Sequence, residues 1–300
     1  MSIEIIEEEG FLETLRLVSN TSGGCSASTR LATVCWPDGE EVDTFIKIFP
    51  FVSRDREIIN ESFGYLMANK ASLKQSPRVA LIKISVDDIP ADPMDTFAHQ
   101  YGFYYAWACR SIGSNNMKKL YFKPSFSGGT PDEFSKYFDA LTEWDSFEKL
   151  ITFDDCIGNC DRNPGNIIFI NKNNLAIIDH GLIFGGGDWI NSGLAHAHNF
   201  NNWLEQFFIN QHGGKPSTIA WQPIIDTSKN HIKVFDESCF GEIMKDMESV
   251  FNSLIPNVPT TKVVIAILVQ YFKDRLQASV ARFSGLSSYF NSSSLGAIAP

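Results

Sequence analysis

FDDCIGNCDRNPGNIIFINKNNLAIIDHGLIF, residues 153–184, is the stretch on which the reading of this chain turns. Asp161 is followed five residues later by Asn166, and Asp179 comes thirteen residues after that. Between the last two, the short apolar runs Ile167–Ile170 and Leu175–Ile178 flank Asn171-Lys172-Asn173-Asn174, which predicts a β-hairpin. Such a hairpin joins Asn166 to Asp179 and fixes the distance between them. Phosphoryl transfer needs this set of groups: a carboxylate to accept the proton of an attacking hydroxyl, and two oxygen ligands to hold magnesium against a triphosphate. An Asp-x4-Asn spacing is weak alone, because both residues are common in turns. Here an apolar helix precedes the loop, a hairpin follows it, and Gly181 gives Asp179 a flexible exit.

Working outward, the N-terminal third reads as strands around one helix. Phe11–Val18 alternates loosely, TSGGCSAS (21–28) is a turn, and Leu31–Trp36 resumes a strand. After the Pro37-Asp38-Gly39 turn, Thr44–Phe49 is a third strand. Arg54–Leu73 carries a helical stripe of Ile58, Ile59, Phe63, Leu66 and Met67. Val79–Val86 and Phe103–Cys109 are two further strands separated by a polar loop at 87–95. Residues 111–116 read as a linker, so the expected division is an N-terminal lobe at 1–110 and a C-terminal lobe at 111–300. The second part is mainly helical. Helices are expected from Pro131 to about Leu141, from Asp145 or Ser146 to about Cys156, and over 192–211, 237–254 and 260–283. The tail from Phe290 is expected to fray. The fold class is therefore α+β in two lobes, β-rich and then helical.

Composition narrows the classes of function. The 300 residues carry 25 Lys+Arg against 35 Asp+Glu, a net charge of −10, which disfavours nucleic acid or an anionic membrane as partner. The opening MSIEIIEEEGF is acidic where a secretory signal needs positive charge, and the apolar run Val263–Val269 is too short to cross a bilayer, so a cytoplasmic location is expected. Six cysteines give no disulfide framework, and Cys156 and Cys160 lack a second pair at zinc-binding spacing. His196 and His198, two residues apart, do not share a helix face and read as polar helix-start residues.

Asn159-Cys160-Asp161-Arg162-Asn163-Pro164-Gly165-Asn166, followed by Ile177-Ile178-Asp179-His180-Gly181, resembles the catalytic and metal-binding loops of the HipA-like kinases. It is similar also to phosphatidylinositol kinases, which share the Asp-Arg loop. The resemblance implies a two-lobed protein-kinase-like fold. It also implies Asp161 as catalytic base, Asn166 and Asp179 as magnesium ligands, ATP as phosphoryl donor, and a protein Ser/Thr hydroxyl as acceptor. An antitoxin-like regulator is a partner of the same kind of implication. Three positions depart from the pattern: Asn163 follows the Asp-Arg pair where a His is frequent, His180 replaces Phe, and Asn159 stands in place of His.

The remaining parts are placed by order along the chain. Lys47, between Ile46 and Ile48, points opposite to both and is the residue to touch the α/β-phosphates. Glu61 is the better ion-pair partner on the following helix, with Glu57 one turn earlier left open. Gly23, Gly24 and Ser26 belong to a loop whose amides can cover phosphates, although it is neither G-x-G-x-x-G nor a Walker A motif. HipA-like kinases autophosphorylate a serine in that loop, which makes Ser22, Ser26 and Ser28 the residues to examine. Arg162 pairs either with an acidic residue or with a phosphate, and 107–110 is the expected adenine-binding hinge. The alternatives kept open are a lipid or small-molecule kinase and a nucleotide-binding pseudokinase acting as an interaction module.

Overall fold

The computed structural model describes residues 2–19, 27–113, 115–123, 129–186, 189, 194, 201–254 and 260–295. Six strands within residues 4–110 form one sheet: β1 (Glu4–Ile6), β2 (Phe11–Ser19), β3 (Ser28–Cys35), β4 (Glu41–Ile48), β5 (Val79–Ser85) and β6 (Phe103–Arg110). Their spatial order is β1-β5-β6-β4-β3-β2, with β1 and β5 parallel and every other neighbour antiparallel. Helix α1 (Arg54–Lys70) follows β4, and a short α2 (Thr96–Tyr101) precedes β6. The rest is α3 (Met117–Tyr121), α4 (Pro131–Thr142), α5 (Phe147–Ile157), the hairpin β7 (Ile167–Asn171) and β8 (Asn174–Ile177), then α6 (Trp203–Gln211), α7 (Thr218–Val234), α8 (Glu237–Leu254) and α9 (Thr260–Leu295).

Strand alternation divides the sheet into two apolar faces. Ala32, Val34, Ile46, Ala80, Ile82, Ile84, Tyr104, Ala106 and Ala108 fill one face. Val79, Leu81, Tyr105 and Trp107 point the other way and join the core shared by α1 and the C-terminal helices. Because Ile46 belongs to the first face, Lys47 must project toward α1, and in register it lies opposite Trp107. The Lys47 side chain is only 13% exposed, so it does not lie on a solvated face of the sheet. Helix α1 is buried along nearly its whole length, from Glu57 to Ala68. Gly64 permits its approach to residue 180: a Cβ there would lie 2.4 Å from the His180 Cβ.

Helix α9 runs for 36 residues, and its buried stripe Ile265, Leu268, Phe272, Leu276 and Phe283 packs over α5, α7 and α8. Arg275 and Arg282 reach from it to the buried Asp155 of α5, at 2.7 and 2.8 Å. Helix α9 continues through Leu295, so the first six residues of the expected frayed tail are helical. Of the helix expected over 192–211, residues 192, 193 and 195–200 lie outside the described residues, and Trp203–Gln211 is a helix whose start is capped by Asn202, which accepts from the Glu205 amide. Helix α7 was masked in the sequence by Pro223. The carbonyl that this proline leaves without an intrahelical donor belongs to exposed Ile219, where water can serve it. Helix α2 lies between the loop expected at 87–95 and the strand expected from Phe103, and it is defined by the Asp95 cap and left-handed Gly102. No helix among the described residues is long and apolar enough to cross a membrane.

His231 on α7 is buried against α5, with Nδ1 3.3 Å from Thr152 Oγ1 and Nε2 without a partner. Burial pushes its pKa down to about 4. The unfolded chain takes up that proton near 6.5 and the folded chain does not, so the contribution of His231 is complete above about 6.5 and is lost as pH falls. Wild type should lose on the order of 2–3 kcal/mol more than His231→Phe between pH 7 and pH 4. Urea denaturation across that range measures the difference, and parallel curves for the two proteins would contradict a neutral buried imidazole.

Candidate functional site

Lys47 stands at the centre of the site. Its Nζ lies 2.5 Å from Glu61 Oε1 and 3.0 Å from Asp179 Oδ1. The second Glu61 oxygen accepts the His180 backbone N–H at 3.0 Å. One carboxylate thus ties β4, α1 and the segment after β8 together. Of the two glutamates on α1, Glu61 makes the ion pair. Glu57 instead accepts from Arg56 at 2.8 Å, while its buried Oε2 has no hydrogen bond and lies 2.9 Å from where a Gly181 Cβ would be.

Electrostatics follow from two carboxylates sharing one ammonium. Burial works against the charge on Lys47, but the Asp179 and Glu61 carboxylates outweigh it and raise its pKa. Asp179 is also penalised by burial, yet Lys47 holds its pKa below the usual value. Glu61 is the weaker competitor, and burial pushes it up to about 7 in spite of Lys47. Burial likewise raises the nearby Cys109 thiol to about 12, which keeps it neutral.

Asp161 belongs to a second set of contacts. Its backbone N–H donates to Asn159 Oδ1 at 3.0 Å, and its Oδ1 accepts from Asn163 Nδ2 at 2.8 Å. Asn166 Nδ2 donates to the Asp161 carbonyl at 2.7 Å and reaches Asp161 Oδ2 at 3.3 Å. The amide nitrogen of Asn166 is therefore occupied, which turns its Oδ1 into the atom left for another partner. Asn159, in the position of the usual His, also donates to Asp154 at 3.0 Å and so holds the loop rather than a substrate.

Arg162 joins the two sets. It is fully buried, and its Nε and Nη2 grip Asp154 at 3.2 and 3.1 Å. Its Nη1 donates to the carbonyls of Ile178 and Asp179 at 2.6 and 3.3 Å. Asp179 has a φ of +66°, in the left-handed region, and these two bonds hold the turn that places it there. The sequence left Arg162 open between an acid and a phosphate; in the fold it takes the acid. His180 Nδ1 lies 3.5 Å from Arg162 Nη2 and its Nε2 lies 3.4 Å from Gln75 Oε1. Arginine only donates, so Nδ1 is the acceptor and Nε2 carries the proton. Burial and then Arg162 push the His180 pKa well below the ordinary imidazole value.

Lys47, Glu61 and Asp179 are thus in direct contact, as are Asp161 and Asn166, and the Ile178 N–H donates to the Asn166 carbonyl at 3.1 Å to connect them. Gly23, Gly24 and Ser26, with Ser22, lie outside the described residues, as do His196 and His198. Several contributors escaped the sequence reading. Asn60 donates to the Gly181 carbonyl at 2.6 Å and accepts from Trp189 at 2.9 Å. Asp154 had a usable signal, a carboxylate on the Leu150–Ile157 apolar stripe of α5 where only a paired charge is stable.

No protein-family model and no curated protein matches the sequence. Among solved structures, a Helicobacter pylori proinflammatory kinase, CtkA, superposes with a TM-score of 0.51 at 12% identity, covering 94% of this chain and 99% of that one. The fold is protein-kinase-like. A pseudokinase in its apo form covers 90% of this chain and 97% of its own at 10% identity, with a TM-score of 0.35.

The Arg162–Asp154 pair generates a stability prediction. Asp154→Asn leaves a guanidinium buried against neutral neighbours and should cost about 3–5 kcal/mol. Asp132→Asn removes an ion pair to Lys136 whose side chains are 64% and 73% exposed, and should leave the urea midpoint unchanged. Equal midpoints for the two variants would remove Arg162 from its bracing role.

Proposed function

We propose that the chain is an ATP-dependent phosphotransferase, a HipA-like kinase that moves the γ-phosphate to a Ser/Thr hydroxyl of a protein. The observation that carries this reading is the position of Lys47 between Glu61 at 2.5 Å and Asp179 at 3.0 Å. A lysine so oriented is the group that steadies the donor's phosphates in protein kinases. The Helicobacter pylori neighbour of the same fold is described as a kinase, which accords with the proposal.

In this proposal Asp161 accepts the proton of the acceptor hydroxyl. Asn163 and Asn166 orient its carboxylate, and Arg162 keeps its loop in register with Asp179. The donor set suits magnesium better than a metal caged by protein. Among the described residues no group of three or more His, Cys, Asp or Glu is arranged to hold a metal ion. Asn166 Oδ1 and the Asp179 carboxylate, 35% exposed, are two oxygen donors for an ion that takes its other ligands from phosphate and water. Bound there, magnesium would neutralise charge on the phosphates. The choice of a protein acceptor and of an antitoxin-like regulator rests on the loop resemblance. Lipid and small-molecule acceptors, and the pseudokinase reading, are separated by experiment.

The test is incubation with γ-labelled ATP and cell lysate, with protein, lipid and small-molecule fractions counted separately. Label should enter protein, and Asp161→Ala should cut transfer by about 10²–10⁴-fold while ATP binding stays within a few-fold. Asn166→Ala and Asp179→Asn should weaken magnesium-dependent ATP binding more than Asp161→Ala does. Near-normal transfer by Asp161→Ala would remove it from the mechanism. ATP binding without transfer by the wild type would favour the pseudokinase.

A further inference from the structure

A cavity of about 310 Å³ opens between the end of β4, the start of α1 and the 90–95 segment. Phe49, Phe51 and Tyr104 give it apolar walls, and Arg54 and Asp95 supply its main polar groups. Tyr104 shares a face of β6 with Ala106 and Ala108, packed with Ile46 on the side of the sheet away from Lys47. Phe49 belongs instead to the core on the Lys47 side, but none of Lys47, Glu61 and Asp179 lines the cavity.

Its charge favours a cation over an anion. Arg54 is buried and already satisfied: Nη1 is paired with Asp95, and Nε lies 3.6 Å from Asp55. An arriving anion would meet a guanidinium held by two carboxylates. Asp92, by contrast, lines the cavity and is exposed, Asp55 is 43% exposed, and Asp87 and Asp88 lie on the same loop. Residues 85–109 contain no lysine or arginine, and the cations that act on Tyr104 are Arg54 and Arg30 of β3, fewer than the four aspartates at 55, 87, 88 and 92. The surroundings are also apolar. Val52, next to Phe51, is 91% exposed, and Met94, between Asp92 and Asp95, is 74% exposed. Two large apolar side chains this open, adjoining in sequence the residues that line a cavity of a size that admits one large side chain, are the anatomy of a docking surface.

We propose that this cavity docks a segment of a partner protein that presents an aromatic or long aliphatic side chain beside a lysine or arginine. The apolar side chain enters between Phe49, Phe51 and Tyr104, and the cation is drawn to Asp92 and Asp55. The occupant touches the first turn of α1, about two helical turns before Glu61, and so stiffens the helix that presents Glu61 to Lys47. This docking does not depend on the phosphotransfer reading, and its failure leaves that reading untouched.

The test uses the full chain and three fluorescein-labelled hexapeptides, read by anisotropy. The first is Gly-Arg-Trp-Leu-Arg-Gly, the second has both arginines replaced by glutamate, and the third has Trp-Leu replaced by Ala-Ala. The first should bind at least about tenfold more tightly than either control. Ala91→Trp, which fills the opening, and Asp92→Asn, an exposed change that keeps the turn acceptor, should each weaken it by about fivefold or more. Circular dichroism identifies any loss of fold, and Asp92→Asn stands as the measure if Ala91→Trp unfolds. Hydrogen exchange of residues 51–61 should slow on binding. Equal or tighter binding of the glutamate peptide would make Arg54 the recognition centre and overturn the proposal. So would unchanged binding in both folded variants, or no binding of the first peptide at about 1 mM.

Discussion

The site rests on one ammonium shared by two carboxylates. Lys47 cannot neutralise both Glu61 and Asp179 when both are ionised. Buried ion pairs contribute little to stability, because desolvating the charges offsets most of their attraction. Their value here is geometric. Glu61 can bond Lys47 and the His180 amide together only if β4, α1 and the turn after β8 are all in place. The uneven sharing is visible in the pKa values, with Asp179 held ionised and Glu61 pushed up to about 7. With Glu61 ionised the site is short of one positive charge, which suits the cation invoked in the proposed reaction.

Arg162 does for the second loop what Glu61 does for the helix. Its five donors are distributed over Asp154, two backbone carbonyls and His180, so one rigid fork fixes the position of Asp161's loop and the left-handed turn at Asp179. Lysine, with one nitrogen, could not reach all of these. The hairpin supplies the covalent link between Asn166 and Asp179, and the arginine supplies the lateral one. Together they make the separation of these residues a property of the fold rather than of a flexible loop.

Much of this was legible because it depends on local pattern. Alternation along Phe45–Ile48 gave the direction of Lys47, and the two apolar runs around Asn171–Asn174 gave the hairpin. The spacing of Asp161, Asn166 and Asp179 marked the loop before any contact was known. What stayed hidden are residues whose partners lie far along the chain. Asn60 meets Gly181 across 121 residues, and Gln75 meets His180 across 105. No periodicity records such pairs. Helix α7 was hidden for a different reason, since Pro223 is a strong breaker in general but falls where the lost bond is at the surface.

His180 shows how one departure from a pattern propagates. An imidazole in a buried place commonly filled by an apolar ring needs partners for both nitrogens, or it loses more than the packing returns. Arg162 supplies a donor for one and Gln75 an acceptor for the other. Gln75 can present its oxygen because its Nε2 is engaged by the Tyr65 carbonyl at 2.7 Å. Tyr65 lies on α1 one residue after Gly64, the glycine that lets the helix touch the His180 Cβ. Residues 64, 65, 75, 162 and 180 therefore form one packing unit. Replacing His180 by phenylalanine would not restore a simple apolar contact, because it would take the acceptor from a buried guanidinium and the donor from Gln75. The unusual histidine and its neighbours have to be understood as a set, and the set couples the helix bearing Glu61 to the arginine that braces Asp161.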